Sequence, residues 1–464
     1  MEKETHPAGN DGRHETAWRT EMAAPGVSHA IAGLQAVAAS LRGLAVPDQL
    51  PAGARLALIK QLEDDARDSI ARVLAEPQRI PVHGMAGWAR FADEVCAVFG
   101  ALLDAYVGLS ASNDLPADGR AEVDVRLAGA AAQRVKWEVL SCGPEHPALW
   151  RSLGAVWAHA GERSAAAREC LRALAYFSGG LDQLPIASVI AADRLITLVL
   201  PHLDLVRKPE AGVPYLFAPA SGLAPRRMVQ GGDLPEGGRY FATRVAAKIL
   251  AGLAAQLAHG VVPAGLGAAQ TDDVLTVAVQ TLLRQWSDRP PVRRFRRHLL
   301  DGRLTAVCGF EELKKLIGSG ARPAGRDWLM HDVCRGGVGA LVSAAAAGEV
   351  QAGDLVGLRA AESETWHLGI VRRKRAAGSE RLVGVETLSQ KPEVVSVDDG
   401  RRAAEVLLCD PILKGEAVRL LAPLDTLTAS VPLFLTFKGT IQKLKPLDAV
   451  ACGGDFELRV YQVL

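Results

Sequence analysis

At 464 residues the chain exceeds one ordinary compact core, and its 49% hydrophobic content is that of a folded globular protein with two or three domains. Lys and Arg (53) nearly cancel Asp and Glu (52), so overall charge excludes any inference of a polyanionic partner, and only local clusters can carry one. The seven cysteines are scattered, odd in number and never form a C-x-x-C pair, which argues against a disulfide framework and a structural zinc site and predicts reduced thiols in a cytoplasmic protein.

In chain order, residues 1–26 mix Glu, Lys, His, Arg, Asp and Pro without an apolar stretch. They predict a disordered tail and no secretory signal. Residues 27–286 read as an all-α helical domain. Leu56, Ile59, Leu62, Ala66, Ile70, Val73 and Leu74 recur at three-and-four spacing, as do Trp88, Phe91, Val95, Val98, Phe99, Leu102 and Tyr106. Clusters at 76–85, 112–119 and 141–147 punctuate these helices. The most apolar segment, Ile186–Leu200, is broken by Asp193 and Arg194 and is too short for a bilayer, so no membrane insertion is expected.

Within this region Trp150, Leu153, Gly154, Trp157, Ala166 and Ala173 stand at the offsets of the tetratricopeptide pattern, with Cys170 at its usual Phe position. The segment near 147–177 therefore resembles one such hairpin, whose small residues Gly154 and Ala166 would let two helices approach closely. Two readings stand side by side: a solenoid groove that binds a protein partner, or an ordinary hairpin in an α-bundle. Residues 211–238, rich in Gly and Pro, predict irregular chain, and helices are expected around Tyr240–His259 and Thr271–Trp286.

From Pro290 the pattern changes to short apolar runs separated by turns. Strands are expected near Leu304–Cys308, Trp328–Val333, Gly337–Val342, Asp354–Arg359, Trp366–Arg373 and Leu382–Leu388, as in a small antiparallel β-barrel over residues 287–390. An amphipathic segment, Glu311–Ile317, interrupts before the second strand. Further runs at Ala404–Cys409, Ala417–Leu421, Leu433–Phe437, Ile441–Leu444 and Phe456–Val463 make residues 391–464 either a β extension or a second small β-domain.

An arginine cluster opens the β module: Arg289, Arg293, Arg294, Arg296 and Arg297, behind Pro290 and Pro291 that disfavour helix. Arg293 and Arg297 form R-x-x-x-R. Downstream, "DVCRGGVGALV" places Asp332, Cys334 and Gly337 as D-x-C-x-x-G at a turn between strands, with Gly336 beside them. These two elements in this order resemble the PilZ family, a six-stranded barrel with an R-x-x-x-R arm and a D/N-x-S-x-x-G turn. "GDLVGLR", "WHLGIVRRKR" and "LVGVETL" match its later strands, so that the resemblance covers about residues 289–390.

That resemblance implies a receptor for cyclic di-GMP. Arg293 and Arg297 would be the main contacts and Arg294 a helper; Asp332 would accept from guanine N–H groups, and Gly337 would give room for close approach. Cys334 occupies the position the family fills with Ser or Ala. The chemistry suits the ligand, because arginine forks onto guanine O6/N7 or phosphate and stacks on a purine face, which lysine does less well. The expected function is a cytoplasmic signalling receptor, not an enzyme. Its helical domain would relay the second messenger to a protein partner in motility, adhesion, biofilm or secretion control. One rival is a degenerate barrel that binds proteins without nucleotide. Another is a nucleic-acid binder using Arg289–Arg297 with Arg372, Arg373, Lys374 and Arg375, which the scarcity of interleaved aromatics disfavours. The histidines lack metal-ligand spacing, although His298 and His331 flank the two motifs. No cofactor is expected: G-x-S-x-G, P-loop and H-E-x-x-H motifs are all missing.

Overall fold

A computed structural model describes residues 25–44, 50–75, 86–141, 145–208, 215–228, 235, 237–262, 266, 272–287, 295–320, 325–343, 345–346, 350–377, 379–428, 430–437, 439–452 and 455–464. The tail expected at 1–26 lies outside them except for its last two residues, which open the first helix. Among the described residues seven α-helices come first: α1 (Pro25–Leu44), α2 (Ala52–Leu74), α3 (Ala86–Ser110), α4 (Ala117–Ser141), α5 (Leu149–Ala160), α6 (Ala165–Ser178) and α7 (Ile186–Val199). The apolar stripes face one shared core. Leu56, Ile59, Ala66 and Ile70 of α2 are buried, as are Phe91, Val95, Val98, Phe99, Leu102 and Tyr106 of α3.

That core also holds a charge. Glu63 of α2 is buried and accepts from Tyr106 Oη (2.6 Å), Arg67 Nη2 (2.6 Å) and Arg126 Nη1 (2.9 Å). Burial alone would raise its pKa. The Arg67 charge and the bonds from Tyr106, Arg67 and Arg126 outweigh burial and hold the carboxyl below its ordinary value.

The predicted hairpin is present as α5 and α6. Ser164 caps α6, its hydroxyl accepting from Ala167 N at 3.0 Å, and Cys170 Sγ donates to the Leu153 carbonyl at 3.7 Å across the pair. Gly154 makes its close approach elsewhere than expected. A Cβ there would lie 2.0 Å from the carbonyl oxygen of Pro219, so its smallness admits the short turn at Pro219–Ser221 instead of helix α6.

The expectation of an all-α domain is corrected by a four-stranded antiparallel sheet: β1 (Asp204–Val206), β2 (Tyr215–Phe217), β3 (Arg226–Arg227) and β4 (Arg239–Ala242), in the order β1-β4-β2-β3. Strands of two to four residues are too short to display a period, yet they bury Leu205, Leu216, Phe217, Tyr240 and Phe241. Helices α8 (Arg244–Ala258) and α9 (Asp272–Gln285) then close this region.

Two closed six-stranded antiparallel barrels follow. The first comprises β5 (His298–Cys308), β6 (Arg326–Cys334), β7 (Gly337–Ser343), β8 (Leu355–Ala360), β9 (His367–Ala377) and β10 (Glu380–Ser389), ordered β10-β7-β6-β5-β8-β9. Helix α10 (Phe310–Ser319) is the amphipathic insertion before β6 and turns Phe310, Leu313 and Leu316 inward. The second barrel comprises β11 (Glu393–Asp398), β12 (Ala403–Leu408), β13 (Ala417–Ala422), β14 (Leu433–Phe437), β15 (Thr440–Cys452) and β16 (Glu457–Val463), ordered β11-β12-β13-β16-β15-β14. Residues 391–464 are thus a second barrel, and its first strand was not among the expected ones.

Counted from its own first strand, each barrel pairs 1 with 2, 2 with 3, 3 with 6, 6 with 5, 5 with 4 and 4 with 1. They are one topology used twice. Each fills its own interior, the first with Leu304, Trp328, Val342, Val371 and Val385, the second with Val397, Leu420, Leu435 and Tyr461. A third apolar cluster joins them: Leu313, Ile370 and Leu388 of the first pack with Leu407, Leu421 and Phe456 of the second.

Candidate functional site

The R-x-x-x-R arm reaches the first barrel at its last arginine. Arg297 immediately precedes β5, and β5 pairs with the end of β6, placing His298 opposite Val333 and Leu299 opposite Asp332. Arg297 Nη1 donates to Asp332 Oδ1, and both side chains are largely shielded, at 21% and 11% exposure. The two motif residues, 35 apart in sequence, are therefore in contact. Arg293 and Arg294 lie outside the described residues.

The turn residues follow from strand geometry. Asp332 pairs with Gly339 and Cys334 with Gly337, so Asp332 and Cys334 share the outer face of the wall. Gly337 has no room for a side chain, since a Cβ would lie 2.1 Å from the Val385 carbonyl oxygen on β10. Gly336 is covered by Phe295 of the arm, whose ring edge would stand 3.2 Å from a Cβ there. The Arg335 guanidinium sits 6.0 Å from the centre of the same ring. Phe295 was not singled out from sequence, although an aromatic residue between two arginine pairs is the available signal. Cys334 also borders a cavity of about 180 Å³ in the barrel mouth, with Met330, Val338, His367 and Thr387. Burial holds the His367 pKa below its ordinary value. His298 is exposed and His331 half-buried in the register shift before Asp332.

The basic run of β9 does not act as one patch. Arg372 Nε donates to Glu386 Oε2 at 2.6 Å. Lys374 Nζ donates to the Val350 carbonyl at 3.0 Å, and Arg375 grips Asp182 of the helical region through Nε (2.9 Å) and Nη2 (2.8 Å). That last contact borders a seam cavity of about 380 Å³ between helices and barrel, lined by Trp150, Phe177, Tyr215 and Lys374. With these partners taken, β9 offers fewer charges to a nucleic acid than its sequence suggests.

The second barrel is informative by contrast. The residues before β11 are Ser389, Gln390, Lys391 and Pro392, with no arginine arm. In its turn between strands 2 and 3, Asp410 is bonded by Arg419 of the same barrel, through Nε at 2.8 Å and Nη2 at 2.5 Å. Among the described residues, no group of three His, Cys, Asp or Glu could hold a metal ion, and no helix is long and apolar enough to cross a membrane. Compared with known proteins, the chain matches no family model and no curated protein.

Proposed function

We propose that the first barrel is a PilZ-like receptor for cyclic di-GMP and that the helical region passes its occupancy to a protein partner. The observation that carries this reading is the contact of Arg297 with Asp332 on the outer wall of a closed six-stranded barrel. An arginine arm beside an acceptor carboxylate and a glycine turn presents what a guanine dinucleotide needs. A forked donor meets phosphate or O6/N7, a carboxylate meets guanine N–H, and bare backbone permits close approach. The second barrel has no arginine run before its first strand, which supports assigning the ligand to the first.

The test is calorimetry of the full chain with cyclic di-GMP, cyclic di-AMP and GTP, followed by the double variant Arg293→Lys, Arg297→Lys. Cyclic di-GMP is expected to bind in preference to the other two. The lysine pair is expected to bind substantially more weakly, because it keeps charge but loses the planar fork. A lysine variant that binds as well as wild type, with affinity collapsing in added salt, would mark a nonspecific anion patch. No binding by the wild-type protein would leave the barrel as a protein-binding scaffold.

A further inference from the structure

The cavity between the helical region and the first barrel plays no part in the receptor reading. Its volume of about 380 Å³ suits a small organic molecule, and such sites concentrate where two folded parts meet. Three rings line it: Trp150 of α5, Phe177 of α6 and Tyr215 of β2. Phe177 stands 5.2 Å from Trp150 with planes 82° apart, and 6.1 Å from Tyr215 with planes 79° apart. Held between two rings nearly perpendicular to it, Phe177 is nonetheless 37% exposed, an open apolar wall on an otherwise charged lining.

The charges of that lining are three carboxylates and two cations, and the cations are committed. Arg375 grips Asp182 through Nε at 2.9 Å and Nη2 at 2.8 Å, and Lys374 Nζ donates to the Val350 carbonyl at 3.0 Å. The other two carboxylates, Glu138 and Glu145, have one arginine between them. Arg134 Nε donates to Glu138 Oε1 at 2.7 Å, and the same oxygen accepts from His146 N at 2.9 Å. Glu138 Oε2 takes no hydrogen bond among the described residues, although the side chain is only 15% exposed.

One arginine does not offset the burial of this group. Burial raises the Glu138 pKa above its ordinary value, and the neighbouring Glu145 charge adds to the rise. Arg134 and the His146 N–H oppose it without reversing it. The cavity thus has an acidic end short of one positive charge, an apolar wall, and a far end where Asp182 is already satisfied.

We propose that this cavity binds an organic cation, a primary ammonium or guanidinium on a short alkyl stem. The charged head donates to Glu138 Oε2 beside Glu145, and the stem lies along Phe177, as lysine and arginine stems lie on apolar surface. An anion would meet two carboxylates that lack a full counter-charge, and a bare metal ion would leave the ring unused. A free diamine and a Lys or Arg side chain of a partner protein share this chemistry. The site is separate from the Arg297–Asp332 contact and stands whether or not the barrel binds a nucleotide.

The experiment is calorimetry of the full chain with putrescine, with the blocked tripeptide Gly-Lys-Gly, and with the uncharged diol of putrescine's length. Wild type, Glu138→Gln, Phe177→Ala and Glu416→Gln are compared after checking folding by circular dichroism and thermal melting. Glu416 is exposed at the second barrel and serves as the charge control. At least one of the two amines is expected to bind wild type saturably and the diol not at all. Tighter putrescine assigns the site to a free amine, and a tighter tripeptide to a partner's side chain. Glu138→Gln is expected to raise Kd roughly ten- to hundredfold, the range of a charge-assisted contact. Phe177→Ala is expected to raise it roughly three- to tenfold through lost apolar contact, and Glu416→Gln not at all. The inference is overturned if neither amine binds, if the diol binds as well as the amines, or if Glu416→Gln loses as much as Glu138→Gln. Wild-type affinity in Glu138→Gln overturns it too, and if that variant does not fold, wild-type affinity in Phe177→Ala does so.

Discussion

Replacing Arg297 with Ala tests whether the arm is fastened to the barrel by its ion pair. Asp332 is the more deeply shielded partner, and Arg297 is the group that bonds its carboxylate. A hydrogen bond between charged groups contributes about 1.5–3 kcal/mol, and stranding a shielded carboxylate pushes the cost to the upper part of that range. The loss falls locally, where His298–Leu299 pairs with Asp332–Val333 at the open end of the β5–β6 ladder. Hydrogen exchange is therefore the suitable assay, since it reads the opening of one ladder without requiring the whole chain to unfold in two states. Exchange at amides of 298–302 and 332–334 is expected to accelerate roughly tenfold to a hundredfold or slightly more, following that free-energy range. The interior ladder at Leu304–Ala306 should change little. Replacing both partners with apolar residues of similar size, Arg297→Met with Asp332→Leu, should restore much of the protection. Unchanged exchange in Arg297→Ala would mean that strand pairing alone holds the arm, and the ion pair would lose its place in the argument.

Three further outcomes follow from the helical region. Glu63→Ala leaves Tyr106 and two arginines around an empty position in the core. It should cost about 3–5 kcal/mol, or roughly 6–20 °C in the melting temperature of the helical signal; a shift under about 2 °C would contradict the burial argument. Because the Glu63 pKa is lowered on folding, its contribution is present above the ordinary value of 4.5 and lost as pH falls through the lower folded value; Glu63→Gln should flatten that acid-side loss in melts across pH. Gly154→Ala drives a Cβ to within 2.0 Å of the Pro219 carbonyl and should cost about 1–3 kcal/mol by thermal melting, whereas an unaffected protein would show that the 219–221 turn can retreat freely.

The parts legible in sequence were those whose signal is local. Alternation of apolar residues between turns located all six strands of the first barrel, and the spacing of apolar residues located the helices that share the large core. Strand β11 escaped although Val395 and Val397 alternate with exposed Ser396, because Pro392 before it and Asp398–Gly400 after it read as one loop. The small sheet escaped because its strands are shorter than any period they could express. The site divided in the same way. Arg297 and Asp332 belong to recognisable motifs, but their contact is set by the β5–β6 register, with a shift between Leu299 and Gly302 that no local pattern announces. The repeated barrel topology was equally hidden, since strands 3 of the two barrels, "GVGALVS" and "AVRLLA", share a pairing scheme and little else.

How a ligand at this site could act at a distance follows from where the arm is anchored. Its upstream end is Trp286, buried in the helical core, with Nε1 donating to Ser178 Oγ at 3.0 Å and its ring edge-on to Phe241. Its downstream end is Phe295 on Gly336 and Arg297 on Asp332. Only residues 287–294 lie between, a length that spans at most about 29 Å when fully extended. The two barrels are joined by an apolar seam through Ile370, Leu388, Leu407 and Phe456, which resists sliding because every shift exposes apolar surface. The helical region meets the first barrel at the Arg375–Asp182 pair beside a cavity, with the carboxylate shielded and the guanidinium exposed. On the proposed reading, a ligand that tightens the arm acts between the helical core at Trp286 and the barrel pair, and the Arg375–Asp182 junction is where the two meet.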